Sequence, residues 1–273
     1  MNYLNNNPIG VFDSGVGGLT CLKELRKLLP NEDIIYLGDT ARVPYGTKSR
    51  ETIAEYARQD IAFLEKYNVK MILIACGTVS SVLMTEDLFA KSKTELYSGV
   101  IYPAVKSAFA ATRNNRIGVI GTPATIRSGC YGKALRELCS DIKVVGKACP
   151  LFVPLVENGY TAKDNKVTRL VAEEYLEVMK KENVDTLIMG CTHYPLLKDV
   201  FADILGDKVT LISPGAEVAR YAAKVLMQKN LLTDRQTQGQ CRLFCTDSEE
   251  LFSENVSAFL GSDINAEISK CSL

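Results

Sequence analysis

The feature that most restricts how this chain folds is a pattern that runs through it twice. IGV at Ile9 is followed by a Val-Pro pair at Val43, then by a cysteine closing an apolar run, Cys76; IGV at Ile117 is followed by Val-Pro at Val153 and a cysteine in the same setting, Cys191. The intervals between these landmarks nearly match. Any one of the short words recurs by chance, but three in the same order point to two similar halves. Around them, short apolar runs alternate with longer stretches of helical periodicity, the mark of an α/β chain with mostly parallel sheets flanked by helices. Expected strands are IGVF from Ile9, IIYL from Ile34, MILIA from Met71, IGVI from Ile117, IKVV from Ile142, TLIM from Thr186, VTLI from Val209 and RLFC from Arg242. Helices are expected near residues 17–29, 49–67, 80–90, 103–113, 124–139, 162–182, 195–205, 215–229 and 247–259.

Two proline-containing passages, GVIYPA around Pro103 and LISPGA around Pro214, read as crossings between the halves. They place one domain at 1–98 plus 213–273 and a second at 99–212. Open parallel sheets bind ligands beyond the carboxyl ends of their strands. Cys76 and Cys191 both fall there.

Apolar residues make up 47% and charged residues 23%, a globular composition. The 32 basic and 32 acidic side chains cancel, and no basic run is interleaved with aromatics, so a nucleic-acid partner is not expected and a small-molecule partner is. The start, MNYLNNNPIG, has neither a basic n-region nor an apolar h-region, and no window offers the roughly 20 apolar residues of a membrane span. A cytoplasmic protein with no membrane partner is the expectation. Nine cysteines without a CxxC pair fit reduced thiols better than a disulfide framework. Cys241 and Cys245, in CRLFC, alternate onto one face of an expected strand.

The segments MILIACGTVSS and TLIMGCTHYPLL each carry an apolar strand into a small residue, a cysteine and then hydroxyl-bearing residues before a helix. A thiol at a helix start meets the positive end of the helix dipole, which lowers its pKa from about 8.5 towards neutrality and makes the thiolate a usable base. Cys21, Cys130, Cys139, Cys149 and Cys271 read instead as small buried hydrophobes. His193 is the only histidine, two residues beyond Cys191, so a multi-histidine metal site is excluded and no metal is expected. Its place beside Cys191 suits an acid, or a tuner of the thiol.

Asp13 and a glycine-rich turn follow the first strand in IGVFDSGVGGLT. Gly15, Gly17 and Gly18 do not satisfy GxGxxG, since the last position is Thr20, and GxxxxGK[ST] is absent; the turn's N–H groups could instead hold a carboxylate. YLGDTARVPYGTKSRETI supplies Asp39, Arg42, Tyr45 and Gly46 before a helix capped near Ser49, and ACPLFVPLVENG supplies Glu157 at the comparable place in the other half.

Together DSGVGGL, GDTARVPYG, ACGTVSS, FVPLVENG and GCTHYPL resemble the glutamate racemase family in order, spacing and wording, from Ile9 to about Pro214. The resemblance implies two pseudo-symmetric α/β domains with the active site between them, and a supply of D-glutamate for peptidoglycan and the cell wall. By matching position it implies Cys76 and Cys191 as the two proton carriers, Asp13 and His193 as their supports, and Asp39 and Glu157 as further acidic site residues. It also implies that Asp13, Ser14, Tyr45, Gly46, Thr78, Thr192 and His193 line the substrate. Where the family usually reads ACNT this chain has Gly77, which removes a side-chain amide and leaves backbone contacts at that position.

Racemisation needs a base on one face of the α-carbon and an acid on the other, which two cysteines from two halves provide. With no pyridoxal phosphate signature evident, no cofactor is expected, and backbone donors in a site closed to water must stabilise the charge that develops. The resemblance assigns Cys76 to the D-isomer and Cys191 to the L-isomer. An aspartate racemase would keep the same logic. A two-domain binding protein with structural thiols remains a reading from another class, and a thiol redox protein is disfavoured by the missing CxxC. The assembly is left open, a homodimer included.

Overall fold

The computed structural model describes residues 5–84, 96–261 and 266–273. Among the described residues ten strands form two parallel sheets. The first is built from β1 (Ile9–Asp13), β2 (Ile34–Gly38), β3 (Met71–Ile74), β4 (Tyr97–Gly99), β9 (Cys241–Cys245) and β10 (Ala266–Lys270), in the order β10-β9-β2-β1-β3-β4. The second is built from β5 (Arg116–Gly121), β6 (Lys143–Ala148), β7 (Thr186–Met189) and β8 (Thr210–Ile212), in the order β6-β5-β7-β8. The run β2-β1-β3-β4 therefore has the same order as β6-β5-β7-β8, and the doubled pattern of the sequence is a doubled sheet. β3, which leads to Cys76, corresponds to β7, which leads to Cys191.

The apolar runs became strands because they can be covered on both sides. Every residue of β1, β2, β3 and β7 is buried, as expected of parallel strands flanked by helices. β9 buries Cys241, Leu243 and Cys245 on one face, the alternation read from CRLFC. The chain leaves the first sheet after β4, builds the second, and returns through the helix Pro214–Gln228, which packs Val218, Ala219, Ala222, Val225 and Leu226 inward. That apolar stripe lies against the helices Leu19–Leu28 and Ile101–Ala111.

Several elements differ from expectation. β4 and β10 were not anticipated. The helix expected over 124–139 is two helices, Pro123–Ser128 and Cys130–Leu138, because Gly129 at φ +64° ends the first turns in the left-handed region. The helix expected from residue 162 begins at Lys166, where Asn165 accepts from the Thr168 N–H. A short helix, Phe152–Glu157, forms in the FVPLVE segment. The helix expected over 80–90 starts earlier, at Gly77, and runs to Leu83; residues 85–90 lie outside the described residues.

At the amino end of β3, away from the cysteines, Lys70 is fully buried against Glu32 at 2.5 Å. Its ammonium also donates to the carbonyls of Asn5 and Leu231, and Glu32 accepts from the Thr233 N–H. One buried charge pair thus joins four separate segments. Among the described residues no helix is long and apolar enough to cross a membrane.

Candidate active site

A cavity of about 460 Å³ opens at the carboxyl ends of both sheets. Ser14 beyond β1, the Val43–Thr47 segment beyond β2 and Cys76–Thr78 beyond β3 form one side. Thr122 beyond β5, Pro154 and Glu157 beyond β6, and the Gly190–Tyr194 turn beyond β7 form the other. Both Val-Pro landmarks line it, as do both strand-end cysteines. The sequence-derived residues Ser14, Tyr45, Gly46, Gly77, Thr78, Thr192, His193 and Glu157 are all at its wall. Asp13 and Asp39 are not.

Cys76 caps the helix Gly77–Leu83, its sulfur accepting from the Val79 N–H at 3.5 Å, with the Ser14 hydroxyl 3.3 Å away. A cap of this kind was expected to lower the thiol pKa. The opposite holds: burial of the sulfur and the charge of nearby Asp13 push it up to about 12, against the opposing hydrogen bonds from Ser14 and Val79. One long N–H···S contact does not replace the water lost from a thiolate that is 5% exposed.

Cys191 has different company. Its sulfur lies 3.8 Å from Nδ1 of His193, whose Nε2 is 2.9 Å from Oε1 of Glu157. Burial works against the imidazolium, but hydrogen bonds and charges from Cys191 and Glu157 outweigh it and raise His193 to about 10. The residues beyond Cys191 form only a 3-10 turn, Tyr194–Leu197, so the positive partner here is a side chain and not a helix end.

Asp13 lies just behind the wall. It accepts from the Gly15 N–H at 3.0 Å and from the Thr192 hydroxyl at 3.5 Å, and burial raises its pKa against the pull of His193 and these hydrogen bonds. The Thr20 hydroxyl donates to the Thr192 carbonyl at 2.8 Å. The glycine-rich turn is packed this tightly against the Cys191 turn because Gly17 has no side chain: a Cβ there would sit 2.3 Å from Thr192 Oγ1 and 2.5 Å from His193 Nδ1.

Asp39 is fully buried and is not among the residues lining the cavity. It accepts hydrogen bonds from Tyr45, from Arg42 and, at 2.9 Å, from Thr246, so it holds the Tyr45 ring in the cavity wall. Arg42 also reaches Asp60 at 3.1 Å, a second buried carboxyl that the sequence reading passed over. Burial and the charge of Asp39 push Asp60 up to about 8, while Arg42 and Tyr45 oppose. Its signal was present: Ile53, Ala54, Ala57, Asp60, Phe63 and Leu64 make one buried helical stripe interrupted by a single acid.

Thr78 and Thr122 line the cavity, and Thr125 lies behind them. Thr78 Oγ1 lies 3.0 Å from Thr122 Oγ1 and 3.5 Å from Thr125 Oγ1, linking the turns beyond β3 and β5. Thr122 and Thr125 were also missed, although Thr-Pro directly after the strand IGVIG signals a helix cap at a strand's carboxyl end.

Comparison with known proteins agrees with this geometry. The sequence profile of the Asp/Glu/Hydantoin racemase family matches residues 9–222. The glutamate racemase of Geobacter metallireducens is 46% identical over 93% of this chain and 92% of its own. Among solved structures, the Bacillus anthracis glutamate racemase isoform RacE1 superposes with a TM-score of 0.91 at 36% identity, covering 98% of both chains. The Francisella tularensis glutamate racemase, solved in complex with D-glutamate, gives 0.88 at 39% identity, again covering 98% of both. The aspartate racemase of Picrophilus torridus, 17% identical with a TM-score of 0.58, shares the fold alone. The chain belongs to the Asp/Glu/Hydantoin racemase family, in its glutamate racemase group, and is an isomerase.

Proposed function

We propose that this chain interconverts L- and D-glutamate by passing the α-proton between Cys76 and Cys191, and that the D-glutamate supplies peptidoglycan synthesis in the cytoplasm. The observation that carries the reading is the delivery of two cysteines to one cavity by equivalent strands of two sheets, each with its own ionisable partners. Residues 1–98 with 213–273 form one domain and residues 99–212 the other, and the substrate lies between them.

The two sulfurs have different neighbours. Burial and Asp13 favour the thiol at Cys76, which suits an acid; Cys191 has the protonated His193 beside it, a partner that suits a base. In the L-to-D direction the Cys191 thiolate takes the α-proton, the electron pair passes into the α-carboxylate, and the Cys76 thiol returns a proton to the opposite face. The reverse reaction exchanges the roles. Backbone N–H groups of Ser14 and of the turns at Gly77 and Thr192 bind the α-carboxylate and stabilise its developing charge. Asp13 and His193 steer the protons at the two thiols, Glu157 orients His193, and Asp39 positions Tyr45.

The test is solvent exchange. In deuterated water, Cys76→Ser and Cys191→Ser are each expected to nearly abolish turnover of both enantiomers, and full activity in either variant refutes the mechanism. Comparing kcat/KM for glutamate and aspartate separates the two acidic substrates.

A further inference from the structure

The position that departs from the family wording is also the point where the two cysteine-bearing turns touch. Gly77 directly follows Cys76 and Gly190 directly precedes Cys191. A Cβ built on Gly77 would lie 2.4 Å from the Gly190 carbonyl oxygen, a main-chain atom that no rotamer change can move aside. Side chains need at least 3.0–3.4 Å there, so any residue but glycine requires the turns to separate by about 0.6–1 Å. Beside this contact the Thr78, Thr122 and Thr125 hydroxyls tie the same two halves together, and on the far side Gly17 admits the Thr192–His193 turn just as closely. The Cys191 turn is therefore gripped between glycines from the first sheet.

We infer that Gly77 is a positioning residue whose missing side chain sets the span between the two sulfurs through its main-chain contact with Gly190. This deepens the two-cysteine reading and rests on it. A proton relayed across one carbon depends steeply on that span, and a misplacement of about 1 Å costs on the order of 10²-fold in rate. Asparagine, which the family wording would place here, is on this argument harmful in this chain unless the turn around Gly190 also retreats. Gly121, at the end of β5, provides a contrast. A Cβ there meets the Gly190 carbonyl at 3.6 Å, an ordinary contact, and otherwise only the Thr125 side chain, at 3.2 Å.

The experiment compares Gly77→Ala, Gly77→Asn and Gly121→Ala with the wild type, using both glutamate enantiomers and their α-deuterated forms. Both Gly77 variants are expected to lose about 10- to 100-fold in kcat in each direction, with KM within about three-fold and an α-deuterium effect at least as large as in the wild type. Their melting temperatures should stay within a few degrees of the wild type, and Gly121→Ala should keep kcat within about two-fold. A Gly77 variant as fast as the wild type overturns the inference. So does a loss that appears in KM alone, which would leave the span between the sulfurs without effect on the proton transfer, or a collapse of the melting temperature, which would make Gly77 structural. A wild type that does not racemise glutamate refutes the proposed function instead, so the two failures are distinguishable.

Discussion

Replacing Glu157 with glutamine tests the Cys191 side of the site while keeping a hydrogen-bond acceptor for His193. The protonated imidazole is held to about 10 against an ordinary 6.5. At 1.36 kcal/mol per pH unit that is roughly 5 kcal/mol net in favour of the charged form, left after burial has opposed the contributions of Cys191 and Glu157. The Glu157 side chain is 44% exposed, so solvent screens its share. A charge-assisted hydrogen bond in that setting contributes about 1.5 kcal/mol, or close to one pH unit. Glu157→Gln should therefore bring His193 down to about 9. His193 carries a raised pKa, so its charge is complete below pH 6.5 in either protein and is lost as pH rises through the folded value. The assay is kcat/KM between about pH 6 and 11, which reports ionisations of the free enzyme and of free glutamate, the latter common to variant and wild type. Its alkaline limb should move down by about one unit, and the ratio of variant to wild type should be constant at the acid end. Free L- and D-glutamate are mirror images of equal free energy, so kcat/KM must change identically in both directions, and only kcat and KM taken separately can differ. An alkaline limb that does not move refutes the role given to the Glu157–His193 contact.

Two further outcomes follow from groups outside the cavity. Lys70→Met strands the buried Glu32 carboxylate and should cost about 3–5 kcal/mol in chemical denaturation while leaving kcat of the folded protein unchanged; a cost below about 1 kcal/mol contradicts the buried pair. Asp60, raised from 3.8 to about 8, binds a proton in the folded chain that the unfolded chain has released, so it makes stability fall as pH rises between those values. Asp60→Asn should flatten the decline in melting temperature over that window, and an unchanged slope would show that Asp60 does not hold that proton.

The sheets were legible because their central strands are uninterrupted apolar runs: IGVF, IIYL and MILI have no other stable fate in a chain this size. β4 was hidden because Tyr97-Ser98-Gly99 has no apolar signature and is a strand only through its pairing with β3. β10 likewise depends on β9 for its register. Gly129 was visible, but the helical periodicity on either side outweighed it. In the site, residue types and order were readable, whereas orientation was not. Matching position put Asp39 in the right loop without revealing that it turns inward to Tyr45 and Arg42. The helix-start argument for Cys76 described a local effect correctly, yet the burial and the Asp13 charge that outweigh it come from segments far away in sequence. Asp60 was passed over for the converse reason: an acid within a helix reads as a surface residue until its stripe is seen to face inward.

The chain passes between the two sheets twice, once after β4 and once after β8, so the sheets are joined by two separate stretches of backbone. A single connection would leave one sheet free to twist about it relative to the other. A second connection removes that freedom, and the register of the groups that face each other across the cavity is thereby fixed by the backbone itself.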